Sequence, residues 1–68
     1  MMSDKEIEEK IIEALSIYGE LNITKLSRMT GLHYRVLQKH LSILVEKGVV
    51  LERRFGRLRL YRLSKRVK

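Results

Sequence analysis

The chain contains no cysteine. Disulfides and thiolate metal sites are therefore excluded as staples, which leaves an apolar core or a partner chain to stabilise it. No apolar run approaches the ~20 residues that span a bilayer. The first ten residues, MMSDKEIEEK, are acidic and lack the apolar segment of a signal peptide. These absences predict a cytoplasmic protein with no membrane partner. Amide side chains are scarce too, with Asn22 and Gln38 the single examples of each. With 34% charged residues, that bias resembles the one reported for heat-adapted proteins, so a thermophilic source is expected. Catalytic apparatus is equally thin. No serine is paired with a base, and no glycine-rich loop could cradle a phosphate. His33 and His40 stand apart from any carboxylate or thiolate at ligand spacing, and a metal needs three or four donors. An enzyme, a metal site and a cofactor are accordingly not expected. His40 is expected to pack beside Val36 and Ile43 or to touch a phosphate.

What is present is charge, unevenly spread. The net is +7 over 68 residues. Residues 1–20 set Lys5 and Lys10 against Asp4, Glu6, Glu8, Glu9, Glu13 and Glu20, a net of −4. Residues 21–68 carry the other 13 bases against Glu46 and Glu52 alone, a net of +11. Solubility does not require such segregation. A strongly positive side is the electrostatic footprint of a polyanion binder.

At this length the chain makes one domain, residues 1–68, and buries about 60% of the surface its unfolded form exposes. Ser3 to Gly19 reads as the first helix. Ser3 and Glu6 match the S-x-x-E capping box, and Gly19 is a natural C-terminal cap. Ile7, Ile11, Ile12, Leu15 and Tyr18 follow the 3.6-residue period, with Glu8, Glu9 and Glu13 on the wet face. Leu21-Asn22-Ile23 reads as a minimal strand. Thr24 should cap a second helix over 24–30, with Leu26 and Met29 inward. Gly31 supplies the sharp turn, Leu32 plugs the angle between helices, and a third helix runs over 33–47 to Gly48. Val49 to Arg54 and Leu58 to Leu63 read as the strands of a hairpin spanning 49–63, with Phe55-Gly56-Arg57 between them. Residues 64–68 form a basic tail. The expected class is α+β and mostly helical, with three helical stripes and one hairpin face closing a two-layer core.

The segments ITKLSRMTGL, VLQKHLSILVEKGVV and ERRFGRLRLYRLS resemble the winged helix-turn-helix superfamily, nearest to ArsR/MarR-type transcriptional regulators and their small archaeal relatives. The resemblance covers roughly Ile7 to Ser64. It implies a transcriptional regulator, nucleoid-associated, that binds double-stranded DNA with its third helix in the major groove and its wing on the minor groove or backbone. Three features depart from the pattern. His33 stands where Ser or Thr usually caps the third helix. The Cys and acid/His sites of metal-sensing relatives are absent, and no long helix follows the wing. A homodimer is expected, with the first helix, through Ile7, Ile11 or their neighbours, as its surface.

On the third helix Tyr34, Arg35, Gln38, Lys39 and Ser42 are spaced to share a face. Arg35 and Gln38 suit base edges, while Tyr34 and Lys39 suit the backbone. Lys25 and Arg28 on the preceding helix should meet phosphates. In the wing, Arg53, Arg54 and Arg57 bracket the tip and Arg59 extends the strip, with Phe55 folded back on the hairpin. Leu58 and Leu60 should be partly exposed. Two other uses of such a fold stay open: a protein-interaction module in a larger assembly, and a sequence-indifferent chromatin or RNA binder.

Overall fold

The computed structural model describes residues 2–64. It contains α1 (Asp4–Tyr18), α2 (Ile23–Thr30), α3 (Tyr34–Glu46), β1 (Val50–Phe55) and β2 (Leu58–Leu63). The expected basic tail beyond Ser64 lies outside the described residues. Among those residues no helix is long and apolar enough to cross a membrane.

Local chemistry sets the helix ends. Ser3 Oγ accepts from Glu6 N at 3.2 Å and Glu6 Oε1 accepts from Ser3 N at 2.9 Å, the reciprocal capping box. The second cap differs from expectation. Asn22 Oδ1, not Thr24, accepts from Lys25 N at 2.8 Å, so α2 starts at Ile23. The minimal strand thereby shrinks to Leu21, which bridges Tyr61 through hydrogen bonds of 2.9 and 2.8 Å. The buried residues of α2 are Leu26 and Thr30, one turn apart, and Met29 is exposed rather than inward.

The turn between α2 and α3 is tied by side chains. Thr30 Oγ1 donates to Leu26 O at 2.6 Å and accepts from Leu32 N at 3.2 Å, while Ser27 Oγ donates to Leu32 O at 2.8 Å. Leu32 is thus held in the core as expected. At the far end of α3, Gly48 N bonds Val45 O at 3.0 Å and Val49 N bonds Leu44 O at 2.9 Å. That Schellman pair needs the positive φ of +80° that Gly48 adopts without a Cβ penalty.

β1 and β2 pair antiparallel from Val50↔Leu63 to Phe55↔Leu58. Phe55 belongs to β1 and Val49 does not, so the loop is the two residues Gly56 and Arg57. The core joins Ile11, Ala14 and Leu15 of α1, Leu26, then Leu37, Leu41 and Leu44 of α3, with Val50 and Tyr61. A fully buried side chain of this kind contributes about 1.5–3 kcal/mol.

Two expectations for α1 fail for one reason each. Tyr18 is exposed, as are Ser16 and Ile17, so the buried stripe of α1 ends at Leu15. Glu8 is not on the wet face, because α3 packs across it and its carboxylate meets His40. Ile11 is fully buried and has no surface to give a partner.

Candidate nucleic-acid interface

The apolar residues Leu37, Leu41 and Leu44 of α3 fasten its back to the core. Helical spacing then turns Tyr34, Arg35, Gln38, Lys39 and Ser42 outward, and all five are exposed. The helix start is capped by His33, whose Nδ1 accepts from Arg35 N at 3.1 Å. The ring thus does the work of the usual hydroxyl, and it can do so only with Nδ1 unprotonated. Gln38 Nε2 donates to Tyr34 Oη at 3.1 Å, which holds the two side chains together one turn apart.

The back of α3 is acidic territory. His40 is 2% exposed, and its ring nitrogens face Glu8 Oε2 at 3.4 Å and Asp4 Oδ1 at 3.6 Å. At that burial it reaches no surface where a phosphate could sit. Lys47 Nζ lies 4.0 Å from Glu8 Oε1. Asp4 and Glu8 of α1 therefore meet His40 and Lys47 on the side of α3 opposite its polar front. No group of described His, Cys, Asp and Glu residues could hold a metal.

Strand alternation splits the hairpin arginines. Glu52 and Arg54 of β1 and Arg59 and Tyr61 of β2 share the face turned toward α3. Arg53 goes to the other face, where its Nε sits 2.9 Å from Glu20 Oε2 and its guanidinium lies 5.0 Å over the Phe55 ring. Phe55 folds against the hairpin under that cation. Leu51 and Leu58 are exposed on the same outer face.

Between the front of α3 and the inner face of the hairpin run two adjoining grooves. One, of about 380 Å³, is walled by Asn22, Thr24, Tyr34, Gln38, Arg57, Arg59 and Tyr61 among others. The other, of about 210 Å³, is walled by Gln38, Ser42, Glu52, Arg54, Arg59 and Tyr61 with Leu41 and Val45. Gln38, Arg59 and Tyr61 belong to both. The structure therefore gathers Tyr34, Gln38, Ser42, Arg54, Arg57 and Arg59 of the sequence-derived set. Arg35, Lys39, Lys25 and Arg28 are exposed but line neither groove, and Arg53 lies behind the sheet.

Four polar groove residues lie outside the sequence-derived set: Asn22, Thr24, Glu52 and Tyr61. Alternation with Arg54 was the available signal for Glu52. Tyr61 is 6% exposed and donates to Glu52 Oε2 at 3.4 Å. Burial first, and then the Glu52 carboxylate, pushes its hydroxyl above the ordinary 10.0, with Arg59 opposing. The hydroxyl is thus a fixed donor at neutral pH.

Comparison with known proteins bears on the fold. No family model matches the chain, and no curated protein matches it significantly. Among solved structures, PKZ Zalpha in complex with ds(CG)6 superposes with a TM-score of 0.86 at 19% identity, covering 90% of this chain and 98% of that one. The Zalpha domain of Carassius auratus PKZ in complex with Z-DNA gives 0.82 at 21% identity, covering 91% and 98%. The fold is a winged helix. A possible transcriptional regulator for arsenical resistance gives 0.74 at 30% identity over 84% of this chain, which spans 58% of that protein.

Proposed function

We propose that this chain binds double-stranded DNA and serves as a small transcriptional regulator. In this reading α3 enters the major groove with Arg35 and Gln38 at base edges. Tyr34, Lys39 and Ser42 flank them, Lys25 and Arg28 meet phosphates, and Arg54, Arg57 and Arg59 hold the backbone or minor groove. The observation that carries it is the convergence of the polar front of α3 and three hairpin arginines on one pair of grooves, with Glu52 the single acid in their walls. Asp4 and Glu8 of α1 meet His40 behind α3, away from its polar front. Arg53, turned away and paired with Glu20, is left out of the contact set.

The structural neighbours support the reading. Two were solved in complex with DNA and the third is described as a possible transcriptional regulator. One of them holds Z-DNA, which favours a second reading in which the duplex recognised is left-handed. Binding as a homodimer belongs to the proposal. With Ile11 in the core, Ile17 and Tyr18 are the exposed apolar residues that α1 offers.

The test is a titration of labelled duplexes of varied sequence across salt, with a CG-repeat duplex in right-handed and left-handed form. Sequence-dependent affinity that falls with salt is expected. Equal affinity for all right-handed sequences would favour a chromatin-type binder, and preference for the left-handed form would favour the second reading. Absence of binding to every duplex at low salt would sink the proposal and leave the interaction-module use. Binding-site selection would then report the oligomer through half-site symmetry.

A further inference from the structure

The inner face of the hairpin holds an arrangement that positive charge alone does not account for. Arg54 and Arg59 are cross-strand partners, so two like charges stand directly opposite each other. Such a pair by itself destabilises a hairpin. Glu52 Oε2 lies 3.6 Å from Arg54 Nε and 3.8 Å from Arg59 Nε. The Tyr61 hydroxyl donates to the same oxygen at 3.4 Å. The carboxylate thus neutralises both cations, and at 3.6 and 3.8 Å its approach to each Nε is longer than a hydrogen bond. A guanidinium binds an anion best through a fork of two N–H groups. The side chains of Arg54 and Arg59 are 63% and 52% exposed, so an incoming anion has direct access.

We propose that Arg54 and Arg59 form a two-arginine oxyanion site for a phosphodiester, and that Glu52 is its placeholder in the free protein. A phosphate carries two free oxygens and can meet both guanidinium forks at once. It takes over the neutralising role of Glu52, whose carboxylate stays with Tyr61. Glu52 therefore keeps the arginines together before binding and opposes every polyanion that approaches. Naming the phosphate as a DNA backbone rests on the function proposed above, whereas the oxyanion site does not.

Glu52→Gln keeps the shape and an acceptor for Tyr61 but removes the charge. Glu46→Gln, at the exposed end of α3, changes net charge equally and lines neither groove. Each variant is titrated with duplex across salt, and melted with and without sodium tripolyphosphate. Alone, Glu52→Gln should melt lower than wild type. It should bind duplex roughly three- to tenfold tighter at low salt, with a salt dependence steeper by about one counterion. Tripolyphosphate should raise its melting temperature more than that of wild type or Glu46→Gln. Arg59→Gln, made in the wild-type background, should lose most of the tripolyphosphate shift. Duplex and tripolyphosphate binding by Glu52→Gln no better than by Glu46→Gln overturns the placeholder. A tripolyphosphate shift undiminished in Arg59→Gln overturns the site, also where Glu52→Gln does not fold. No duplex binding by any form, with the larger tripolyphosphate shift still seen in Glu52→Gln, upholds the oxyanion site and removes the DNA reading alone.

Discussion

On the outer face of the hairpin Arg53 is paired, with Glu20 at 2.9 Å and the Phe55 ring beneath its guanidinium, though its side chain is still 49% exposed. On the inner face Arg54 and Arg59 stand 3.6 and 3.8 Å from Glu52 and stay more than half exposed. Residues 53 and 54 are neighbours in sequence and identical in type, yet one is paired with Glu20 on the outer face and the other faces the grooves. The alternation of a strand separates them. A count of arginines therefore overstates the surface open to a polyanion, and register corrects it.

Both faces depend on the seat of α3, so the largest effect should come from its buried side. Leu37 is fully buried, and Leu37→Ala should cost about 2–5 kcal/mol. A chain of this size has only about 3–10 kcal/mol in total. Melting followed by circular dichroism should show the fold lost or nearly so, and a near-normal melt would detach the hairpin from α3. Next is the joint that aims the hairpin. Ala at Gly48 must adopt a left-handed conformation, at a cost of about 1–2 kcal/mol. Denaturant unfolding of Gly48→Ala measures it, and no loss would mean the exit from α3 can relax.

The comparison of faces itself is tested by a pair. Arg54→Ala should weaken all duplexes alike and reduce the salt slope by about one, with little change in melting. Arg53→Ala should do the opposite, leaving the slope intact and costing about 0.2–1 kcal/mol of stability, the range for a partly exposed pair. Identical behaviour of the two variants would erase the distinction between faces.

The smallest effect is a pH dependence. The Tyr61 hydroxyl is raised above 10.0 in the folded chain, so the folded state keeps a proton that the unfolded state releases first. Its contribution is fully present below the ordinary tyrosine value and is lost as pH climbs from there through the folded value. Stability of wild type relative to Tyr61→Phe should therefore be flat at neutral pH and fall above about 10. A difference that grows with pH instead would contradict the burial that sets this shift.

Much of this was legible before any coordinates. The Ser3–Glu6 box, the glycine ends of helices, the two-sided third helix and the hairpin all rest on contacts within a few residues, and those appear in the structure. Five of the groove-lining residues sit where helical and strand periods put polar side chains. Less legible was the second cap, since Asn22 and Thr24 are both competent and two residues apart. Competition with the Leu21–Tyr61 bridge decided it, because Leu21 must stay extended to pair and the helix begins just beyond.

By itself the sequence determined the order of the three helices and the hairpin, the split of charge between the first twenty residues and the rest, and the polar front of α3. Each follows from composition or from periods of 3.6 and 2. Only the tertiary structure decided that His40 lies between Asp4 and Glu8, that Glu20 takes Arg53 out of the wing, and that Tyr61 joins the core to both grooves. The physical reason is distance along the chain. His40 and Glu8 are 32 residues apart and Arg53 and Glu20 are 33 apart, so no local period relates them. Packing of α1 across α3, and of Leu21 beside β2, brings those charges into contact and leaves Arg54 and Arg59 facing the open grooves.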